Sequence, residues 1–199
     1  MLNNTAVLGT PTILTRLRAE TRSQHDAIEQ TLTLMSDELT LEAYCQRLEQ
    51  FYGFYKPVED RIFGARSPVK KWLDLENRLK TPFLKLDLST LDRQPVQQLP
   101  LCPDLPPLHG AADFFGCLYV LEGATLGGVL ISRHVQKKLA LTPASGGRFF
   151  YGYGQQTGAM WLEFRAAIAD FSSVVNQDND IIRSACATFE ALQHWCEKK

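Results

Sequence analysis

His25 and Glu29 stand four residues apart in the stretch LRAETRSQHDAIEQ. On a helix that spacing puts both side chains on one face, one turn apart. A carboxylate so placed can accept the imidazole Nδ1–H, fix the tautomer and leave Nε2 free to bind a metal. A core histidine with a local hydrogen bond has the same spacing and is the commoner case. Arg18 and Arg22 precede His25 by seven and three residues. On one continuous helix Arg18 stands about 10 Å from His25 along the same face. A long cofactor whose metal sits on His25 could present an anionic edge to these arginines. An ordinary solvated rim would read the same way.

Gly123, Gly127 and Gly128 fall within six residues of an apolar run. Three glycines inside a helix cost roughly 2–3 kcal/mol relative to alanine, so something must offset them. Either a second helix crosses closely, which Gly123-x-x-x-Gly127 permits, or a flat ligand lies against bare backbone. The glycines also permit a kink. Arg133, five residues beyond Gly128, could reach the edge of such a ligand.

The remaining motifs are weak. Cys102-Pro103 lies in a proline-rich stretch that makes such pairs easily, and His109, His134 and His194 fit helix starts or surfaces. There is no phosphate-binding loop, no dinucleotide glycine pattern and no nucleophile motif. The lack of a Glu-x-x-His pair argues against a di-iron carboxylate site.

These residues sit in a chain of 199 residues, 45% apolar and 22% charged, with a net charge of −1. That balance excludes a disordered or low-complexity protein. Residues 1–100 carry 13 basic and 13 acidic groups, and the remainder 8 and 9. No arm for nucleic acid stands out. Five cysteines without a Cys-x-x-Cys pair argue against a disulfide framework or structural zinc, and fit a reducing, cytoplasmic setting. No basic segment followed by a long apolar one marks a signal peptide. Phe114 to Ser132 is apolar enough for a membrane check, but Glu122 near its centre would cost roughly 2.5–3.5 kcal/mol. A buried core helix is expected instead, with no membrane partner.

Helical periodicity runs through most of the chain. Residues 1–11 read as a flexible N-terminus. One helix is expected from about Thr12 to Thr33, and a second after Thr40, kinked or divided at Pro57. Ser67-Pro68 predicts a third helix over VKKWLDLENRL, and Thr81-Pro82 a short fourth. Residues 88–107 hold five of the ten prolines and read as a long loop. A long helix follows from His109 to Leu139, then an aromatic loop over Ser145–Gly154. The last two helices cover Gln156–Val175 and Asp180–Glu197. With no period-2 strand pattern, the expectation is a single all-α domain of seven or eight helices over residues 1–199.

The motifs together resemble the haem oxygenase family. LRAETRSQHDAIEQ is similar to its proximal-helix motif and LYVLEGATLGG to the distal-helix motif of its bacterial branch. FFYGYGQQTGAMWLEF and ATFEALQHW are similar to the segments that follow, so the likeness spans about Leu14 to Trp195. The bacterial enzymes that supply biliverdin to bacteriophytochromes resemble it most. The resemblance implies an all-α fold with haem between a proximal and a distal helix. His25 then matches the axial iron ligand and Glu29 the carboxylate that orients it. Gly123, Gly127 and Gly128 match the distal glycines. Arg18 and Arg133 match propionate contacts, with Arg22 beside them; Tyr119 and Arg165 are looser matches. One departure is Ala124, where the bacterial motif often has serine; animal members carry a nearby aspartate. No carboxylate lies between Gly123 and Gly128, so Thr125, backbone carbonyls or a remoter group must organise distal protons.

The implied reaction takes haem, O2 and electrons to biliverdin, CO and ferrous iron. Haem is then substrate and cofactor at once. Axial histidine leaves the other iron face open to O2. An external electron donor, a ferredoxin or a reductase, is implied because no flavin or nicotinamide motif is present. A non-catalytic haem-binding or haem-transfer protein on the same fold is the alternative. A thiaminase-like hydrolase would need an activated cysteine, and no such motif is visible.

Overall fold

The computed structural model describes residues 12–64 and 67–197, and the expected flexible N-terminus, residues 1–11, lies outside them. Among the described residues there are eight α-helices and no strand. They are α1 (Ile13–Glu20), α2 (Arg22–Leu32), α3 (Leu41–Ile62), α4 (Thr81–Thr90), α5 (Ala111–Leu139), α6 (Arg148–Tyr151), α7 (Thr157–Val175) and α8 (Asp178–Glu197). Short 3₁₀ turns occur at Pro68–Lys71, Val96–Gln98 and Gly154–Gln156.

The expected first helix is two helices. Thr12 caps α1 by accepting from the Thr15 amide at 3.3 Å. Thr21 then breaks the path at φ −103°, ψ 3°, with its hydroxyl donating to the Leu17 carbonyl at 2.7 Å. Arg18 and His25 therefore sit on separate segments, and the straight-helix distance between them does not apply.

Pro57 does not divide α3. Proline has no N–H for the Gly53 carbonyl, four residues back. The amide of Cys102, from the proline-rich stretch, donates to that carbonyl at 2.9 Å instead. The helix predicted from Ser67-Pro68 shortens to one 3₁₀ turn. Ser67 makes no capping bond, the Asp74 carboxylate takes the Glu76 amide at 2.9 Å, and Asn77 turns the chain at φ +65°. The loop expected from residue 88 begins later, because α4 runs to Thr90. The aromatic loop holds α6, whose first amides are capped from a distance: Asp87 accepts from the Arg148 and Phe149 amides at 2.8 and 2.7 Å.

The core is built on α5. Phe115, fully buried, packs on Phe164 and Phe171 of α7, with ring centroids 6.3 and 4.8 Å apart. Gly116 lets α8 cross closely, since a Cβ there would lie 2.9 Å from the Ala185 amide nitrogen. α5 is long and apolar enough to cross a membrane, but more than half of its most apolar eighteen-residue stretch is buried inside the protein. Glu122, its central acid, is 1% exposed and ion-paired with Arg78 and Lys80.

Candidate functional site

A cavity of 730 Å³ lies between the α1–α2 pair and α5, with residues from α3, α6, α7 and α8 completing its wall. That volume suits one medium-sized ligand. Nine of the ten residues singled out from the sequence line it: Arg18, Arg22, His25, Glu29, Tyr119, Gly123, Gly127, Gly128 and Arg165. Arg133 does not; it is exposed on α5 outside the cavity wall.

His25 lies in the first turn of α2, not in the middle of a long helix on its apolar side. Its side chain is 53% exposed and meets the Phe189 ring edge-on at 5.9 Å between centroids. Nε2 faces Glu29 Oε1 at 3.7 Å and Nδ1 faces Asp26 Oδ1 at 3.8 Å, both beyond hydrogen-bonding distance. Glu29 thus faces the opposite ring nitrogen from the one expected. His25, Asp26 and Glu29 bring one ligand atom each within 4.8 Å of one another. Asp26 escaped notice because adjacent helical residues do not share a face.

Arg18, Arg22 and Arg165 are exposed residues of the cavity wall from three helices, and Arg22 reaches Asp26 Oδ2 at 3.7 Å. Tyr119 is half-buried, 5.9 Å from the Trp161 ring. Burial raises its phenol pKa, while the Thr21 hydroxyl and the Arg18 charge pull it back.

The three glycines divide between the two roles the sequence left open. A Cβ on Gly128 would stand 2.9 Å from the Phe150 carbonyl oxygen, so this glycine serves a close backbone crossing. A Cβ on Gly127 meets nothing within 4 Å, and one on Gly123 only the Trp161 ring edge at 3.9 Å. Their backbone is bare toward the cavity, as a flat ligand packed against it requires. Thr125 donates its hydroxyl proton to the Glu122 carbonyl at 2.6 Å, so only its lone pairs remain for a distal network.

Several groups were not legible in the sequence. Lys80, 3% exposed, lines the cavity. Burial lowers its pKa, against the opposing pull of Glu122. Glu122 accepts from Lys80 Nζ and Arg78 Nη1, each at 2.7 Å, and from the Tyr153 hydroxyl at 2.8 Å. The lone acid in an apolar helix is a signal for a buried pair, but its partners are distant in the chain: Arg78 lies in a stretch that reads as helix, Lys80 just after it, and Tyr153 in the aromatic loop. Phe149, Phe150, Trp161 and Phe189 complete the aromatic wall. Elsewhere, His134 Nε2 donates to the Ser36 carbonyl at 2.8 Å, and no disulfide joins the five cysteines, all of them among the described residues.

The family model described as Heme oxygenase matches residues 11–198. No curated protein matches the chain by sequence. Among solved structures, the NO- and CO-bound heme oxygenase of Neisseria meningitidis is 22% identical, with a TM-score of 0.80 over 95% of this chain and 92% of that one. The heme oxygenase of Leptospira interrogans is 20% identical, with a TM-score of 0.74 over 95% of this chain and 100% of that one. Heme oxygenase-1 of Synechocystis, solved in complex with heme, is 14% identical, with a TM-score of 0.73 over 94% and 92%. At these identities the likeness establishes a shared all-α fold.

Proposed function

This chain belongs to the haem oxygenase family, and from that premise we propose that residues 1–199 act as one unit that opens haem to biliverdin, CO and ferrous iron. The observation that carries the reading is that His25 and the bare backbone of Gly123 and Gly127 line one cavity of 730 Å³. The residues present fit haem: an imidazole free of short hydrogen bonds, an apolar and aromatic wall, and arginines at the rim. Haem, as substrate and cofactor, supplies the redox iron and the macrocycle that is cleaved, with O2 as co-substrate.

The chain's own groups have distinct tasks. His25 holds the metal from the α2 side through one ring nitrogen, and the carboxylate facing the other nitrogen, Asp26 at Nδ1 or Glu29 at Nε2, keeps its imidazole basic and oriented. Gly123 and Gly127 leave room for a small ligand on the α5 side and, with Ala124, no side chain that donates a proton there. Arg18, Arg22 and Arg165 pair with propionates at the rim. Electrons come from a separate ferredoxin or reductase, in a reducing cytoplasm that suits five cysteines outside any disulfide. A bacteriophytochrome is a fitting acceptor for the product.

Ala124 favours one second reading, a haem-transfer protein on this fold, because it puts a methyl on the cavity wall where the bacterial motif often has serine, and the neighbouring Thr125 commits its hydroxyl proton to the Glu122 carbonyl. Haem titration followed by reduction with ascorbate or ferredoxin separates the two. Biliverdin and CO should form from wild type. His25→Ala should lose the histidine-ligated ferrous–CO spectrum and nearly all turnover, with Glu29→Gln milder. A haem complex that persists unchanged through reduction in air would overturn the oxygenase reading.

A further inference from the structure

Gly123 and Gly127 have no side chain with which α5 could brace itself against the cavity. Between them the buried Thr125 bonds back to the Glu122 carbonyl at 2.6 Å, and the other contacts that fix the stretch act at its two ends. At the near end stands Glu122, 1% exposed and enclosed by Arg78, Lys80 and Tyr153. At the far end Gly128 rests on the Phe150 carbonyl, where a Cβ would stand only 2.9 Å away. Phe150 and Tyr153 belong to the same short segment, α6 and the turn after it. α4 holds that segment through Asp87, which accepts from the Arg148 and Phe149 amides. Lys80 immediately precedes α4 and closes the ring: its ammonium also donates to the Tyr153 hydroxyl and to the Arg78 carbonyl, each at 2.6 Å.

The α4–α6 unit is thus a bracket that grips α5 at residues 122 and 128 and leaves the residues between them facing the cavity. Burying Arg78 and Lys80 around Glu122, with the exposed Glu163 reaching Arg78 at 3.0 Å, is an expensive way to gain stability, because desolvation offsets most of the attraction. Such clusters are better suited to fixing one geometry among several. Among the described residues, the bracket touches the cavity wall only through Lys80, Phe149 and Phe150.

On the reading of the cavity as a haem site, we propose that Glu122, Lys80 and Tyr153 are positioning residues that set the gap between the Gly123–Gly127 backbone and the bound macrocycle. That gap decides the size of ligand admitted on the α5 side: diatomic molecules fit and larger ones are excluded. None of the three needs to touch the reacting atoms to do this.

Tyr153→Phe tests the near end, since it removes one hydroxyl and keeps both ion pairs and the ring. Gly128→Ala tests the far end by wedging α5 away from Phe150. Two readouts apply to each variant. In the haem-free protein, amide hydrogen exchange over 123–128 should quicken about ten-fold, as expected for one lost buried hydrogen bond, while 112–118 stays as in wild type. In the ferric haem-loaded protein, imidazole should bind roughly five- to ten-fold tighter while cyanide stays within about two-fold, because only the larger probe feels the gap. Unmoved exchange and an unmoved imidazole-to-cyanide ratio in both variants would overturn the proposal. Faster exchange with an unmoved ratio would overturn it too, since the bracket would then be structural only. If wild type takes up no haem, the functional reading falls by itself, and the exchange measurement alone decides whether the bracket holds α5.

Discussion

Gly128 sits so close to Phe150 that a Cβ on it would lie 2.9 Å from that residue's carbonyl oxygen, while the neighbouring Gly127 faces open space. Two adjacent glycines in one helix should therefore respond to alanine with opposite signs. Gly127→Ala should stabilise the haem-free protein by about 0.5–1 kcal/mol, the ordinary helical preference. It should also slow haem breakdown, because the new methyl points into the cavity. Gly128→Ala should destabilise by about 1–3 kcal/mol through overpacking against a backbone atom that cannot move aside. Urea unfolding of both variants, beside a turnover assay, checks the pair.

Gly53 shows the same logic away from the cavity. A Cβ there would stand 2.6 Å from the Pro100 carbonyl oxygen and 2.7 Å from the Trp195 ring. Gly53→Ala should lose about 1–3 kcal/mol, although an exposed helical glycine would gain by the change. The reading is the midpoint of denaturant unfolding at unchanged m-value.

The arginines separate cleanly. Arg18 lines the cavity and Arg133 lies outside it, although spacing made them look like a pair. Arg18→Gln should weaken haem binding roughly ten-fold. Arg133→Gln should leave it within about two-fold. Equal losses in the two variants, measured by haem titration, would contradict this placement.

Glu59 gives a dependence on pH. It is 2% exposed, and burial pushes its carboxyl up to about 7, against the hydrogen bonds it receives from the Lys80 and Thr81 amides and the Thr81 hydroxyl. Between the ordinary carboxylate value near 4.5 and about 7, the folded state holds a proton that the unfolded chain has released. Stability from this group is thus full at lower pH and falls as pH rises through that window, by up to about 3 kcal/mol. Glu59→Gln should flatten that part of the pH–stability curve. A wild-type and variant difference that stays constant from pH 4.5 to 7 would rule out the raised carboxyl.

The sequence carried the site well where residue type and local spacing suffice. His25, the open glycines and the α1–α2 arginines all line the cavity, and the caps at Thr12 and Thr40 are local bonds. It failed where partners are distant in the chain. Asp87 caps α6 from some sixty residues away, so no neighbouring residue announces that helix. Arg78 and Lys80 look like surface charges until Glu122 is placed beside them. Thr21 breaks a helix whose apolar spacing continues across the break, which periodicity cannot register.

The bond from Cys102 to the carbonyl that Pro57 leaves unpaired has a kinetic meaning. An α-helix normally completes its hydrogen bonds locally and early, but this one completes only when a segment beyond α4 arrives. Loop closure must come first. The contact should then be absent from the folding transition state, so weakening it would speed unfolding and leave the folding rate nearly untouched. In α3 the proline acts as a timer, deferring the last bond of a helix until the chain around it has assembled.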